Sequence, residues 1–154
     1  MKSNQILIIL LIFSIGLNLF LWLKPETPKE AFRLEGDQRT EIQLKPEHKE
    51  FILREMRQFV ESIHLINEGI TNNEPEKIIL AGAQSGTSVS PPNELVQSMP
   101  EAFLKMGRPT HKLFDTMADS ARMNFNPSLA QKQLTELTSR CVNCHATYRL
   151  EAKF

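Results

Sequence analysis

The chain has 154 residues, with 18 lysines and arginines against 18 aspartates and glutamates, and only two cysteines. That length builds one small core plus a tail. The balanced charge, without a run of one sign, offers no basic face to nucleic acid, and the chain holds neither a nucleotide-binding glycine loop nor a nucleophile elbow.

The first element is an uncharged run from Ile6 to Leu23, "ILIILLIFSIGLNLFLWL", in which Asn18 is the one strongly polar residue. As a helix it would be about 27 Å long, close to the hydrocarbon thickness of a bilayer. Ser14 and Gly16 would serve a signal-peptide cleavage site, but a cut there leaves "LNLFLW" as a greasy terminus. The expectation is therefore an uncleaved signal anchor over residues 1–23, with a cleaved signal peptide and a soluble periplasmic protein as the alternative. Residues 24–45 are charged, with prolines at 25 and 28 and no sustained apolar period, and read as a tether.

From Pro46 the pattern is helical. Ile52, Met56, Phe59, Ile63, Ile66 and Ile70 recur at alternating spacings of four and three, an apolar stripe on a helix started by Pro46. Asn73 is expected to cap a shorter second helix through "EKIILAGA", ending near Gly86, followed by a Ser/Gly/Pro loop. A third helix is expected from about Pro100 to Met123, bent or broken at Pro109. After the turn "NFNP", capped by Asn126, a last helix carries Ala130, Leu134, Leu137, Cys141, Cys144 and Tyr148 on one stripe. No strand pattern is evident. The fold class is all-α: an antiparallel four-helix bundle over residues 46–154, preceded by one transmembrane helix.

The last stripe holds "CVNCH", residues 141 to 145. A redox CxxC starts a helix after a strand, whereas this pair lies deep in a helix of an all-α chain. A structural zinc site needs about four ligands, and this cluster offers three. A simple disulfide leaves His145 without a role. Covalent haem attachment uses all three residues: two thiols one turn apart add to two vinyl groups, and His145 reaches the iron. Such attachment is made outside the cytoplasm, in agreement with the export segment.

"CVNCHATYR" resembles the CxxCHxxYR ending of the cytochrome c-prime family and its low-spin, methionine-ligated relatives, and "PEAFLKMGRPTHKLFD" is similar to the third-helix segment of small periplasmic cytochromes of that group. The resemblance covers roughly residues 46 to 150. It implies a four-helix bundle with one haem c. Cys141 and Cys144 would be the thioether sites, His145 the proximal ligand, and Arg149 a neighbour of that histidine or of a propionate. Tyr148 is expected to be a core ring. The N-terminal anchor departs from the usual soluble members.

Function then turns on the sixth iron position, since a thioether there makes a low-spin electron carrier and an empty position permits gas binding. Met56 falls level with the haem motif and in the region the family uses as its distal face, so it is the expected ligand. Met106 and His111, the latter oriented by Asp115, are the alternatives. His48 and His64 are expected at the rim or in solvent. The expectation is a membrane-anchored, periplasmic, monohaem electron carrier and not an enzyme. Its partners would be redox proteins or a membrane electron-transport complex, with a homodimer through the first two helices left open. A five-coordinate, NO- or CO-binding protein is the alternative.

Overall fold

A computed structural model describes residues 3–23, 36–89 and 91–153. The chain divides into two units, Met1–Gln38 and Arg39–Phe154. In the first, helix α1 runs from Ser3 to Leu23. Its side chains from Leu10 to Phe20 are exposed on every side of the helix. The amide of Asn18 donates back to the Ser14 carbonyl at 2.8 Å, so the one strongly polar group of the run is satisfied within its own helix. Among the described residues no helix is long and apolar enough to cross a membrane. The side chains at 6–9 and 21–23 of the expected anchor, and most of the tether, lie outside the described residues.

The second unit is a bundle. Helix α2 spans Pro46–Asn72, α3 Pro75–Ser85, α4 Asn93–Ser98, α5 Glu101–Asn124 and α6 Pro127–Thr147. Helices α2, α3, α5 and α6 close a ring in which each touches the next and the last touches the first. Neighbours run antiparallel, as their contacts show. Ser62 meets Ser85 while Gly69 abuts Ile78, and Gly82 abuts Ala118 while Ser85 meets His111. Gly82 is required here, because a Cβ would stand 2.4 Å from that of Ala118.

Local chemistry explains several helix ends. Pro46, Pro75 and Pro127 each occupy a first turn, where an N–H has no partner to lose. Asn126 accepts from Leu129 N at 3.0 Å and caps α6. Asn73 does not cap α3. It ends α2 in the left-handed region, at φ 59°, a conformation asparagine tolerates better than most residues. Nor does Pro109 break α5, which is continuous. Pro109 lies two turns into that helix, and its neighbour Thr110 returns its hydroxyl to the Met106 carbonyl at 3.0 Å.

The main departure from an all-helical chain is a pair of parallel strands. Strand β1, Thr40–Leu44, pairs with β2, Tyr148–Ala152, in the register Thr40↔Tyr148 to Leu44↔Ala152. Lys153 N extends the ladder to the Leu44 carbonyl at 2.8 Å. The last residues of the expected tether therefore belong to the folded unit, and Tyr148 opens a strand instead of closing α6. Ile42 and Leu44 alternate inward and are each 2 % exposed, which is the period-two pattern of a half-buried strand.

Two apolar clusters result. One fills the ring with Phe59, Ile66, Phe114, Met117 and Leu137, among others. The other gathers Ile42, Leu44, Ile52 and Leu95 under the strand pair, with Phe103 and Tyr148 packed against it. Tyr148 is thus a packing ring, meeting Phe103 edge-on at 5.5 Å between centroids. Met56 packs against both clusters.

Candidate functional site

On α6 the apolar stripe continues past Leu137, but what it faces changes. Ala130, Leu134 and Leu137 are buried, whereas Cys141 and Cys144 are half-buried and His145 is exposed. From residue 140 onward the helix walls a cavity of about 280 Å³, near the lower edge of the usual range for small-molecule sites. Helical spacing puts Cys141 and His145 on one row and Arg140 and Cys144 on the adjacent row, each pair one turn apart. All four line the cavity.

The other walls come from α2, from α5, and from the connection that carries α4. Helix α2 supplies Ile52, Glu55, Met56 and Phe59; α5 supplies Phe103, Met106, Arg108 and His111; α4 and its flanks supply Leu95, Val96 and Met99. The connection is clamped: Asp115 accepts from Thr87 N at 3.0 Å and from Thr87 Oγ1 at 2.6 Å. Asp115 is thus turned to Thr87, and His111, against expectation, has other partners. Instead His111 Nδ1 bonds the Ser85 carbonyl at 2.8 Å, its Nε2 lies 3.7 Å from Glu55 Oε1, and its ring meets Phe59 edge-on at 5.1 Å. Burial pushes the Glu55 carboxyl above the ordinary carboxylate range, with His111 opposing that shift.

The cysteines are unpaired thiols. Cys141 donates to the Leu137 carbonyl at 3.4 Å. Desolvation raises the pKa of both, and at Cys144 the neighbouring Cys141 adds to the rise. A redox dithiol works through a lowered thiol pKa, so this environment opposes that reading. Among the described residues no three His, Cys, Asp or Glu side chains converge as a metal cluster. A structural zinc site would need such convergence. A haem, whose porphyrin two thioethers would hold and whose iron one imidazole would hold, does not.

The remaining expected residues scatter. Arg149 lies on β2 directly opposite Glu41 and pairs with it, and reaches Glu151 at 3.3 Å. It is not among the residues lining the cavity. Arg39 Nη1 donates to the His145 carbonyl at 3.4 Å. His64 is exposed and lies 3.8 Å from Glu68. His48, expected at the rim, is only 7 % exposed, with Nδ1 buried and without a hydrogen-bond partner. Strand β1 and the start of β2 complete the core beneath this end of α2, which a helix-only reading leaves open.

Two features of the cavity suit a planar, mostly apolar group. Its lining is chiefly aliphatic, aromatic and thioether side chains. Gly107 is on the wall, and a Cβ built there meets nothing within 4 Å, so the glycine leaves open space. Arg140 Nε is buried with no acceptor although Nη2 bonds Glu136 at 2.6 Å. Comparisons with family models, with curated proteins and with solved structures find no match to this chain.

Proposed function

We propose that this chain is a c-type cytochrome of the c-prime kind that passes single electrons on the periplasmic side of a membrane, held there by its N-terminal segment. One observation carries the reading: Cys141, Cys144 and His145 share the wall of an apolar cavity with Met56. The prosthetic group would supply the one-electron couple. Cys141 and Cys144 would hold the group, each thiol S–H adding across one vinyl C=C with sulfur to one carbon and hydrogen to the other, which needs no oxidant. His145, one turn beyond Cys141, and Met56 would be the side chains that donate to its iron. The protein's own work is to hold, insulate and tune the iron. Low-dielectric side chains such as Phe59, Leu95 and Met99 exclude water, and a thioether ligand favours the ferrous state relative to a second imidazole.

The anchor reading is supported by the sequence from Ile6 to Leu23 and by the all-round apolar exposure of α1 from Leu10 to Phe20. A helix apolar on all sides needs an apolar medium or a partner to cover it.

The test uses the full-length protein. Its mass should exceed that of the polypeptide by one haem, and a denaturing gel should keep the haem stain. The oxidised and reduced spectra should be low-spin, and carbon monoxide should bind slowly. Pigment that extracts into acidified organic solvent would refute thioether attachment. A high-spin wild type that takes up carbon monoxide at once would move the function to gas binding.

A further inference from the structure

The chain enters its second unit at the end that carries the cysteines. Thr40 opens β1 directly opposite Tyr148, the first residue after α6. Just before it, Arg39 Nη1 donates to the His145 carbonyl at 3.4 Å. That carbonyl belongs to the last turn of α6, where a helix leaves acceptors over and its dipole favours a cation. Ile42 and Leu44, both buried, then fix β1 in the second cluster. The point of entry is therefore pinned beside the Cys-Val-Asn-Cys-His segment. The opposite end of the bundle, at Asn126, lies about 27 Å from Cys144 along α6. The near end is also open: Val142 is 67 % exposed, and Asn143, His145 and Ala146 around it are exposed as well.

We infer that this end of the domain meets an integral-membrane redox protein, in the same bilayer that holds the anchor, and exchanges single electrons with it. The docking rests on the haem and anchor readings above. It adds which end of the domain the partner meets, and that the partner is itself confined to the membrane. Covalent length supports it. Residues 24–38 separate Leu23 from Arg39, and fully extended they span at most about 55 Å. A site at the point of entry stays within that span of Leu23 in every orientation of the domain, whereas a site at the Asn126 end adds up to about 27 Å. Effective concentration falls roughly as the −3/2 power of the span, so a membrane-confined partner encounters the near end more often than the far one. A bilayer this close also shields the site from soluble partners on one side. Val142 and Ala146, one turn apart on one row of α6, are the apolar contact offered there.

The experiment places full-length holoprotein in phosphatidylcholine vesicles that carry a ruthenium tris-bipyridyl photoreductant on a lipid headgroup. A flash moves one electron from excited ruthenium(II) to the ferric haem, leaving ruthenium(III). The rate is divided by that for the same complex free in water. Mass spectrometry first establishes one haem per chain, and flotation that the protein stays with the vesicles. Two variants test the point of entry. A Gly/Ser insert after Gly36, which is exposed and has nothing within 4 Å of its Cβ position, doubles the span. A circular permutant joins Gln38 to Asn126, and the C-terminus through a linker to Arg39, so the chain enters at the far end. The insert should lower the rate ratio about threefold, by the same power of the span. The permutant should lower it at least as far, with its absorption spectrum unchanged. A permutant that keeps the wild-type ratio overturns the docking end and leaves the haem reading standing. If circular dichroism shows the permutant misfolded, the insert decides, and an unmoved ratio overturns the docking. A wild type without haem overturns the haem reading, and one that leaves the vesicles overturns the anchor reading; the docking falls with either.

Discussion

At the scale of single residues, the proposed haem reading leaves the choice of distal ligand between side chains that share one cavity wall. Met56, Met106 and His111 all line it. His111 is the most encumbered, because its Nδ1 is taken by the Ser85 carbonyl and its Nε2 faces Glu55. An imidazole held that way must leave an established bond or a carboxylate neighbour to swing toward an iron. Met56 carries no such commitment: it is partly buried, flexible, and touches both apolar clusters. Replacing Met56 with alanine should therefore leave the haem attached and open the iron. The expected result is a high-spin spectrum and rapid carbon monoxide binding, absent from Met106→Ala and His111→Ala. A change of spin state confined to His111→Ala would make the site bis-histidine.

At the scale of elements, the parallel strand pair is what joins residues 40–44 to the end of the chain and roofs the second cluster. Leu44 is 2 % exposed beside Ile42, Ile52 and Leu95, and its carbonyl accepts from Lys153 N. Truncating a buried leucine costs about 2–5 kcal/mol, from lost transfer energy and the void left behind. Leu44→Ala should lower the denaturation midpoint accordingly and speed amide exchange in Tyr148–Ala152 more than in α3, which packs chiefly against α2 and α5. Equal acceleration in both would mean that the strands and the ring of helices unfold as one unit. This element was poorly legible beforehand. "TEIQL" and "YRLEA" offer two or three inward residues each, too few to display a period, and their partners are more than a hundred residues apart.

At the scale of the whole molecule, the two units make different demands of their surroundings. The unit from Arg39 onward buries its own clusters, whereas α1 presents Leu10, Leu11, Ile12, Phe13 and Ile15 to its exterior. Full-length protein should sediment with membranes, resist salt washing, and retain Met1 or Lys2 at its terminus. A mature terminus after Gly16 or beyond Leu23 would make it a soluble carrier with its haem chemistry unchanged.

The sequence by itself determined what depends on neighbours along the chain. The stripes of α2 and α6, the prolines that open three helices, the Asn126 cap, and the adjacency of Cys141, Cys144 and His145 all follow from spacings of three and four residues. Even the exceptions obey this limit: Asn73 was legible as a capping residue, expected to open α3, but one backbone torsion makes it close α2. Tertiary structure alone decided what depends on distant partners. It settled the pairing of Thr40–Leu44 with Tyr148–Ala152, the burial of His48, and the commitment of Arg149 to Glu41 and of Asp115 to Thr87. It also drew Arg108 and Arg140 to one cavity. The reason is physical: a periodic apolar face announces that it will be buried, but an isolated charge or a five-residue strand has its role set by whichever distant surface the folded chain brings against it.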